Sequence, residues 1–274
     1  MYLAINFSPP AARLVQSGQI DIDYFKTPDW EWMVNDAKIL RPVAVHFTLE
    51  AGNNGLGQVN WSEIEHLTLT TNTPYINLHL DSKQGNFPWL PVDTTDKSDI
   101  EQVFKVLLSD VMIMVERFGS EKIIVENSPY HGEVGNTLRL CVEPNLITRI
   151  VEQTGCGFLL DISHAIIAAF HIGMDPYEYF NRLPVKRVKE MHFTGIHHIK
   201  GQWMDHLSIL KRDWHWLDWV LARIKSGDWS TPWLLAFEYG GVGAEFEWRC
   251  DPIVIIEQIP LLYERVHSNN IMTS

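Results

Sequence analysis

The chain has 274 residues, of which 46% are hydrophobic and 20% are charged, a composition typical of a globular protein with a substantial core. Its net charge of −12 comes from 34 acidic and 22 basic residues, and such a charge repels the phosphate backbone of nucleic acids. No apolar run is long enough to span a bilayer, so we expect neither a nucleic-acid partner nor a membrane.

Short apolar runs alternate with amphipathic segments along the whole chain. Eight of the runs are predicted to be β-strands: residues 3–7, 20–25, 42–49, 75–80, 122–126, 157–162, 188–193 and 233–237. Between them, Ser98 and Glu101 form a capping-box pattern that predicts a helix ending near Gly119. Pro144 and Gly155 likewise predict the start and stop of another helix.

Regular alternation of strands and helices predicts a parallel α/β sheet, either closed or doubly wound. Eight strands in a chain of this length favour the closed form, a single (β/α)8 TIM-barrel domain covering residues 1–274. Three long segments that follow strands, 81–97, 127–142 and 194–212, are predicted to be irregular loops. In a barrel, such loops carry the functional residues.

Side chains that commonly bind metals recur near the ends of the predicted strands. A closed parallel barrel brings the carboxyl ends of all its strands to one face, so these side chains are predicted to meet in one site. The predicted ligands are His46, His79, Glu126, Asp161, His164, His192 and Glu238, with Asp205 and His206 in the loop after the seventh strand. For the last two, a solvated loop pair is an equally good interpretation.

Three of these residues, Glu126, Asp161 and Glu238, end apolar strands and are also the predicted catalytic residues. A carboxylate at such a position is costly to bury without a cation or an ion-pair partner. Imidazoles and carboxylates without thiolates suit iron, manganese or zinc, and the number of donors predicts two or three ions. The alternative is a set of interior ion pairs.

One stretch of the sequence resembles a known family. Residues 153–164, Gln-Thr-Gly-Cys-Gly-Phe-Leu-Leu-Asp-Ile-Ser-His, continued by 173–177 and 191–195, resemble the core of the multinuclear non-haem iron oxidases that include the methanobactin-biosynthesis enzymes. That family belongs to the xylose-isomerase-like TIM barrels. The resemblance implies an enzyme that uses two or three iron ions and oxygen to oxidise cysteines of a peptide. It also implies a small partner protein that recognises the peptide.

The resemblance implies metal ligands at six of the positions already chosen. They are His46, His79, Glu126, Asp161, His192 and Glu238. The chain departs from the family at residues 161–164, Asp-Ile-Ser-His, where the family usually has Asp-x-Asn-Asn. It departs again at Asp205-His206, where the family often has Asp-x-His.

Two other functions stay open on the residues alone. One is a manganese- or zinc-dependent isomerase or epimerase of a sugar-like small molecule, in which Glu126 and Glu238 bridge ions or exchange protons. The other is a non-catalytic metal-binding barrel that binds a ligand or a partner. The identity and number of bound metal ions distinguish the three hypotheses.

The cysteines and the N-terminal segment indicate in which cellular compartment the protein is expected. Cys141, Cys156 and Cys250 lack the spacing of a disulfide framework or a zinc ribbon and are predicted to be buried free thiols. The N-terminal segment has no basic region before Pro9-Pro10, unlike a secretory signal. We therefore expect the protein in the cytoplasm.

Overall fold

Strands and helices alternate along residues 1–243 and 247–268, the part of the chain that the computed structural model describes. The strands are β1 (Tyr2–Asn6), β2 (Tyr24–Pro28), β3 (Val43–His46), β4 (Glu50–Ala51), β5 (Ile76–Leu80), β6 (Ile123–Asn127), β7 (Gly157–Asp161), β8 (Val188–Phe193), β9 (Gly195–Ile199), β10 (Gln202–Leu207) and β11 (Leu234–Phe237). The α-helices are α1 (Pro9–Gln16), α2 (Glu31–Lys38), α3 (Trp61–Thr71), α4 (Lys97–Phe118), α5 (Pro144–Thr154), α6 (Ile162–Ile172), α7 (Pro176–Arg182), α8 (Trp214–Lys225) and α9 (Pro252–Ser268).

The chain contains two compact units. The first comprises residues 1–46, 62–73 and those from 190 onward, and the second comprises residues 47–61 and 74–189. In the first unit, parallel strands are hydrogen-bonded in the order β3-β2-β1-β11-β8. Strand β1, near the start of the chain, therefore pairs with β11, near residue 235. In the second unit, parallel strands follow the order β7-β6-β5-β4.

Strands β6 and β7 of the second unit are buried on both faces, as expected of parallel strands covered by helices. Every residue of β6 and β7 is buried, including the carboxylates Glu126 and Asp161 at their carboxyl ends. In the first unit, small side chains pack together where β1, β3 and β11 lie, with Ala4, Ala44 and Ala236 fully or almost fully buried. These strands hold their terminal polar residues on a rigid frame.

Helix ends follow the predicted local chemistry closely. Gly155 ends α5 in the left-handed conformation, with φ of 70°, which a residue without a Cβ adopts at little cost. Gly119 follows α4 as predicted. The predicted cap at Ser98 is wrong, because the side chain of Asp96 accepts a hydrogen bond from the Ser98 amide and the helix begins at Lys97.

Two of the predicted strands differ from the observed bounds by more than one residue. The second strand covers Tyr24–Pro28 instead of 20–25 and includes Lys26, which is buried in an ion pair with a distant carboxylate. The third strand ends at His46, and residues 47–49 that follow it are not in a strand. The predicted loop 194–212 is also wrong in part, since β9 and β10 form an antiparallel hairpin.

Among the helices of residues 1–243 and 247–268, none is both long enough and apolar enough to cross a membrane. All three cysteines are buried and outside disulfides, as predicted. Burial raises the pKa of the Cys141 thiol from 9.0 to about 12. Burial likewise raises the pKa of Cys156.

These thiols should react slowly in the native protein. We expect a disulfide reagent at pH 8 to label Cys141 and Cys156 only after denaturation. Since folding raises the pKa of Cys141, its thiol stabilises the fold below pH 9, and this contribution is lost as the pH rises from about 9 towards 12. Counting labelled thiols in native and unfolded protein checks the prediction, and fast stoichiometric labelling of Cys141 in the native protein contradicts it.

Candidate functional site

Four of the predicted ligands form a buried cluster in the second unit, called here the β5–β7 cluster: His79, Glu126, Asp161 and His164. His79 and Glu126 are register partners on neighbouring strands, and His79 Nε2 lies 3.2 Å from Glu126 Oε2. His164 Nε2 lies 3.5 Å from Asp161 Oδ2 and its Nδ1 lies 4.0 Å from Glu126 Oε1. Glu126, Asp161 and His164 each offer one donor atom, and these atoms lie within 4.8 Å of one another.

The imidazole of His164 is held in one tautomer. Its Nδ1 lies 2.9 Å from the backbone carbonyl oxygen of Asn127, and because a carbonyl can only accept, Nδ1 carries the proton and donates. The Nε2 lone pair then faces Asp161 and is available to a metal ion. His164 lies where the chain departs from the family's usual motif, and the structure brings it into the cluster.

The two carboxylate oxygens of Asp161 make different contacts. It is the N-cap of α6, because Oδ1 accepts a 2.8 Å hydrogen bond from the His164 amide. The other oxygen faces the imidazole of the same residue. Asn127 fixes the Asp161 backbone from both sides, donating Nδ2–H to the Asp161 carbonyl and accepting from the Asp161 amide.

Substituting Asp161 in two ways separates these contacts. Asp161→Asn keeps a cap acceptor but removes the charge, whereas Asp161→Ala removes both. In the absence of metal, we expect the free energy of unfolding of Asp161→Ala, measured in urea, to be about 1 kcal/mol lower than that of Asp161→Asn. We expect both variants to bind metal weakly. The matched control is Asp175, which caps α7 through the Glu178 amide and lies outside the cluster. Asp175→Ala should lose similar stability and keep its metal, and equal stability of the two Asp161 variants contradicts the assigned cap.

The other five predicted ligands lie in the first unit and form what we call the β8–β11 cluster: His46, His192, Asp205, His206 and Glu238. His192 Nδ1 is 3.2 Å from Glu238 Oε1, and the His46 ring is 5.3 Å from the His192 ring. His206 Nδ1 donates to the Glu238 backbone carbonyl at 3.1 Å. Burial alone would raise the pKa of the Glu238 carboxyl, but His192, His206 and His46 hold it well below its usual range.

A local irregularity of the hairpin places Asp205 and His206. In a regular strand, neighbouring side chains point to opposite faces, so both rarely reach one site. The pairing of β9 and β10 shifts between Met204 and Leu207, and His206 takes a left-handed conformation with φ of 56°. As a result, His206 Nε2 comes within 4.0 Å of Asp205 Oδ2 while its Nδ1 lies 3.8 Å from Glu238 Oε2.

Sequence reasoning missed two buried residues beside this cluster, Lys26 and Glu190. Lys26 Nζ pairs with Glu190 Oε1, and the same oxygen lies 3.0 Å from His192 Nε2. Burial would raise the pKa of the Glu190 carboxyl, but Lys26 and His192 lower it to about 2. The available signal was the spacing of Glu190 and His192, two residues apart on one strand and therefore on the same face.

The two clusters fit divalent metal ions by their donor chemistry. Each combines imidazoles with carboxylates and contains no thiolate, which matches iron, manganese and zinc better than soft ions. Glu126, Asp161 and Glu238 are all buried, where a cation offsets the cost of removing their charges from water. That all nine residues share one centre stays a prediction. His197 and His198, two further histidines on β9, lie outside the clusters: His197 contacts Ser208 and His198 packs against Trp203.

The sequence of this chain is similar to a known enzyme family and to several bacterial proteins. The family model for the RiPP precursor modification enzymes MbnB/TglH/ChrH matches residues 65–230, more than half of the chain. A UPF0276 protein of Paraburkholderia phytofirmans is 27% identical over 211 residues, covering 72% of this chain and 64% of the relative. The chain spans less than two thirds of the length of the curated relatives it matches.

Solved structures show the fold. The crystal structure of a D-psicose 3-epimerase in the presence of D-fructose superposes with a TM-score of 0.59 at 11% identity, covering 97% of this chain and 98% of that one. A fusion protein of a xylose isomerase-like TIM barrel and 4-hydroxyphenylpyruvate dioxygenase gives a TM-score of 0.54 at 14% identity, covering 97% of this chain and 44% of that one. The predicted α/β class and (β/α)8 TIM-barrel fold are confirmed.

Proposed function

Because the chain belongs to the MbnB/TglH/ChrH family of RiPP precursor modification enzymes, we propose that it is a metal-dependent oxidase that modifies cysteines of a precursor peptide. Membership confirms the resemblance seen in the sequence and identifies the chain as one of a family of TIM-barrel enzymes. The choice of peptide cysteine as the reacting group rests on that resemblance and is the part of the proposal that needs a test.

The observation that carries the proposal is the buried trio of Glu126, Asp161 and His164. Its donor atoms lie within 4.8 Å of one another, and all three residues fall inside the segment that matches the family. The two carboxylates are 0% and 2% exposed, so their mutual repulsion is little screened by water. A cation between them removes that repulsion, and the imidazole completes a donor set suited to iron.

We propose iron, in two or three ions, as the cofactor, with manganese or zinc as the alternatives to be tested. Bound iron supplies open coordination positions for a thiolate and for oxygen. The chain's own residues prepare the site. Asn127 turns the Nε2 lone pair of His164 towards the carboxylates, and the Glu238 carbonyl does the same for His206 Nε2. These fixed tautomers let the imidazoles bind without reorientation.

The carboxylates also set the charge of the site. Glu126 and Asp161 in the β5–β7 cluster, and Glu238 in the β8–β11 cluster, would offset the positive charge of ions bound in each cluster, and the near-complete burial of these carboxylates would keep bulk water from competing for those ions. The substrate is proposed to be a peptide, in line with the family's description as RiPP precursor modification enzymes. We also propose a small partner protein that recognises the peptide. Like the cysteine chemistry, this proposal rests on the resemblance of the sequence to the family.

Metal analysis tests the proposal. Protein purified without chelators and loaded anaerobically with ferrous iron should retain two or three iron ions per chain after desalting. It should then consume oxygen when a cysteine-containing precursor peptide is added, but not when serine replaces the cysteine. Retention of no iron contradicts the proposal. Manganese or zinc occupancy with oxygen-independent turnover of a ketose contradicts it in favour of an isomerase or epimerase.

A further inference from the structure

A buried ion pair lies directly behind His192, on the side away from Glu238. Lys26 and Glu190 are 1% and 3% exposed, and they join β2 to β8 within the first unit. Trp233 Nε1 donates to the second Glu190 oxygen at 3.3 Å, so both carboxylate oxygens are engaged. Such a pair is expensive to bury, and apolar residues of the same volume often stabilise a core as well or better. The presence of this pair therefore points to a role other than stability.

We propose that Lys26 and Glu190 act as positioning residues that orient His192 for metal binding, an inference that rests on the proposed function. Glu190 Oε1 lies 3.0 Å from His192 Nε2, and the carboxylate accepts the Nε2 proton. Accepting that proton leaves Nδ1 as the ligand nitrogen, and Nδ1 lies 3.2 Å from Glu238 Oε1, on the side of the other cluster members. Lys26 keeps the Glu190 carboxylate in place by direct contact.

The geometry matches a general feature of metal-binding histidines. Such residues donate their second ring N–H to a carboxylate or carbonyl, which fixes the ring and makes the ligand nitrogen more basic. His164 and His206 use backbone carbonyls for this purpose, whereas His192 alone among these three uses a charged side chain. A carboxylate strengthens the basicity of the ligand nitrogen more than a neutral carbonyl does.

Two double variants test the role of the Glu190 oxygen without leaving an unpaired buried charge. Lys26→Met with Glu190→Gln removes both charges and keeps an acceptor for the His192 proton. Lys26→Met with Glu190→Leu removes the charges and the acceptor. Both replace the ion pair by groups of similar volume, so both should fold, which a cooperative melting transition checks.

The affinity for zinc, a diamagnetic probe, is measured by competition with a chromophoric chelator. We expect the Leu variant to bind about 10- to 100-fold more weakly than the wild type, and the Gln variant to lie between them. Nitrogen-15 NMR of labelled histidine provides a readout independent of metal. The His192 Nε2–H signal, assigned through His192→Gln, should persist in the Gln variant and disappear in the Leu variant.

The outcomes separate this inference from the proposed function. Wild-type zinc affinity and an unchanged His192 signal in the Leu variant overturn the positioning role and leave the metal site intact. A wild-type protein that binds no metal overturns the proposed function, and the His192 signal of the metal-free variants still decides whether Glu190 sets the tautomer.

Discussion

Replacing Glu126 by glutamine should remove most of the stabilisation of the protein by metal while leaving the metal-free protein at least as stable as the wild type. Glu126 is fully buried, and its Oε2 lies 3.2 Å from His79 and its Oε1 4.0 Å from His164. The substitution keeps the volume and removes one of two crowded negative charges. Sites built for function often carry such destabilising features.

The expected size follows from linkage. At free metal about 100 times above Kd the wild type gains about 2.7 kcal/mol, and a variant with about 100-fold weaker binding gains about 0.4 kcal/mol. Thermal unfolding with and without metal, together with metal counted per chain, measures both effects.

Asp110 supplies the matched control for this experiment. It is another buried carboxylate of the same unit, but it accepts hydrogen bonds from the Gly52 and Asn54 amides at 2.7 and 3.3 Å and belongs to neither cluster. Asp110→Asn should lose about 1–3 kcal/mol of stability and keep the full metal-induced shift. If Glu126→Gln retains that shift and Asp110→Asn loses it, the assignment of the β5–β7 cluster is wrong.

Replacing Gly195 by alanine should be among the most destabilising single changes in the chain and should also weaken metal binding. An added Cβ would lie 1.8 Å from the Ser208 carbonyl oxygen, 2.4 Å from its carbon and 2.8 Å from the Ile209 Cα. All three are backbone atoms, so no side-chain rotation relieves the overlap. We expect a loss of about 3 kcal/mol or more, at the upper end for overpacking.

The damage should reach the metal-binding residues because the hairpin holds them. Gly195 pairs with Leu207, immediately after His206, and the His206 amide donates to Thr194 Oγ1 at 3.0 Å. Denaturant unfolding and zinc competition on the same sample measure both losses. Gly85→Ala is the control, since nothing lies within 4 Å of its added Cβ, and it should change stability by less than about 0.5 kcal/mol. A Gly195→Ala protein with wild-type stability contradicts the prediction.

The sequence predicted those parts of the fold and site that depend on local patterns. His79, Glu126 and Asp161 were chosen as candidates because a polar residue at the end of an apolar strand is unusual in itself. Because parallel strands place their carboxyl ends at one edge of the sheet, these residues were also predicted to lie close together. The register of His79 with Glu126 confirms this proximity for that pair. Gly155 was found because glycine ends helices for a local steric reason.

The parts that the sequence did not predict depend on contacts between distant residues. Lys26 is typical of a solvated strand end until Glu190, 164 positions away, is known to face it. The bulge at His206 could not be read from residues 202–207, since a left-handed histidine is uncommon and is held here by contacts to Thr194 and Glu238. Such contacts appear only once the strands are paired.

The double use of Asp161 affects how relatives of this protein should be compared. A member of the family that had lost its metal and its chemistry would still need an acceptor at this position to begin α6, since the His164 amide bonds to it. An aspartate retained there across a lineage is thus ambiguous evidence of activity. Glu126 caps no helix, so a change at that position is the clearer sign that a relative has lost its metal.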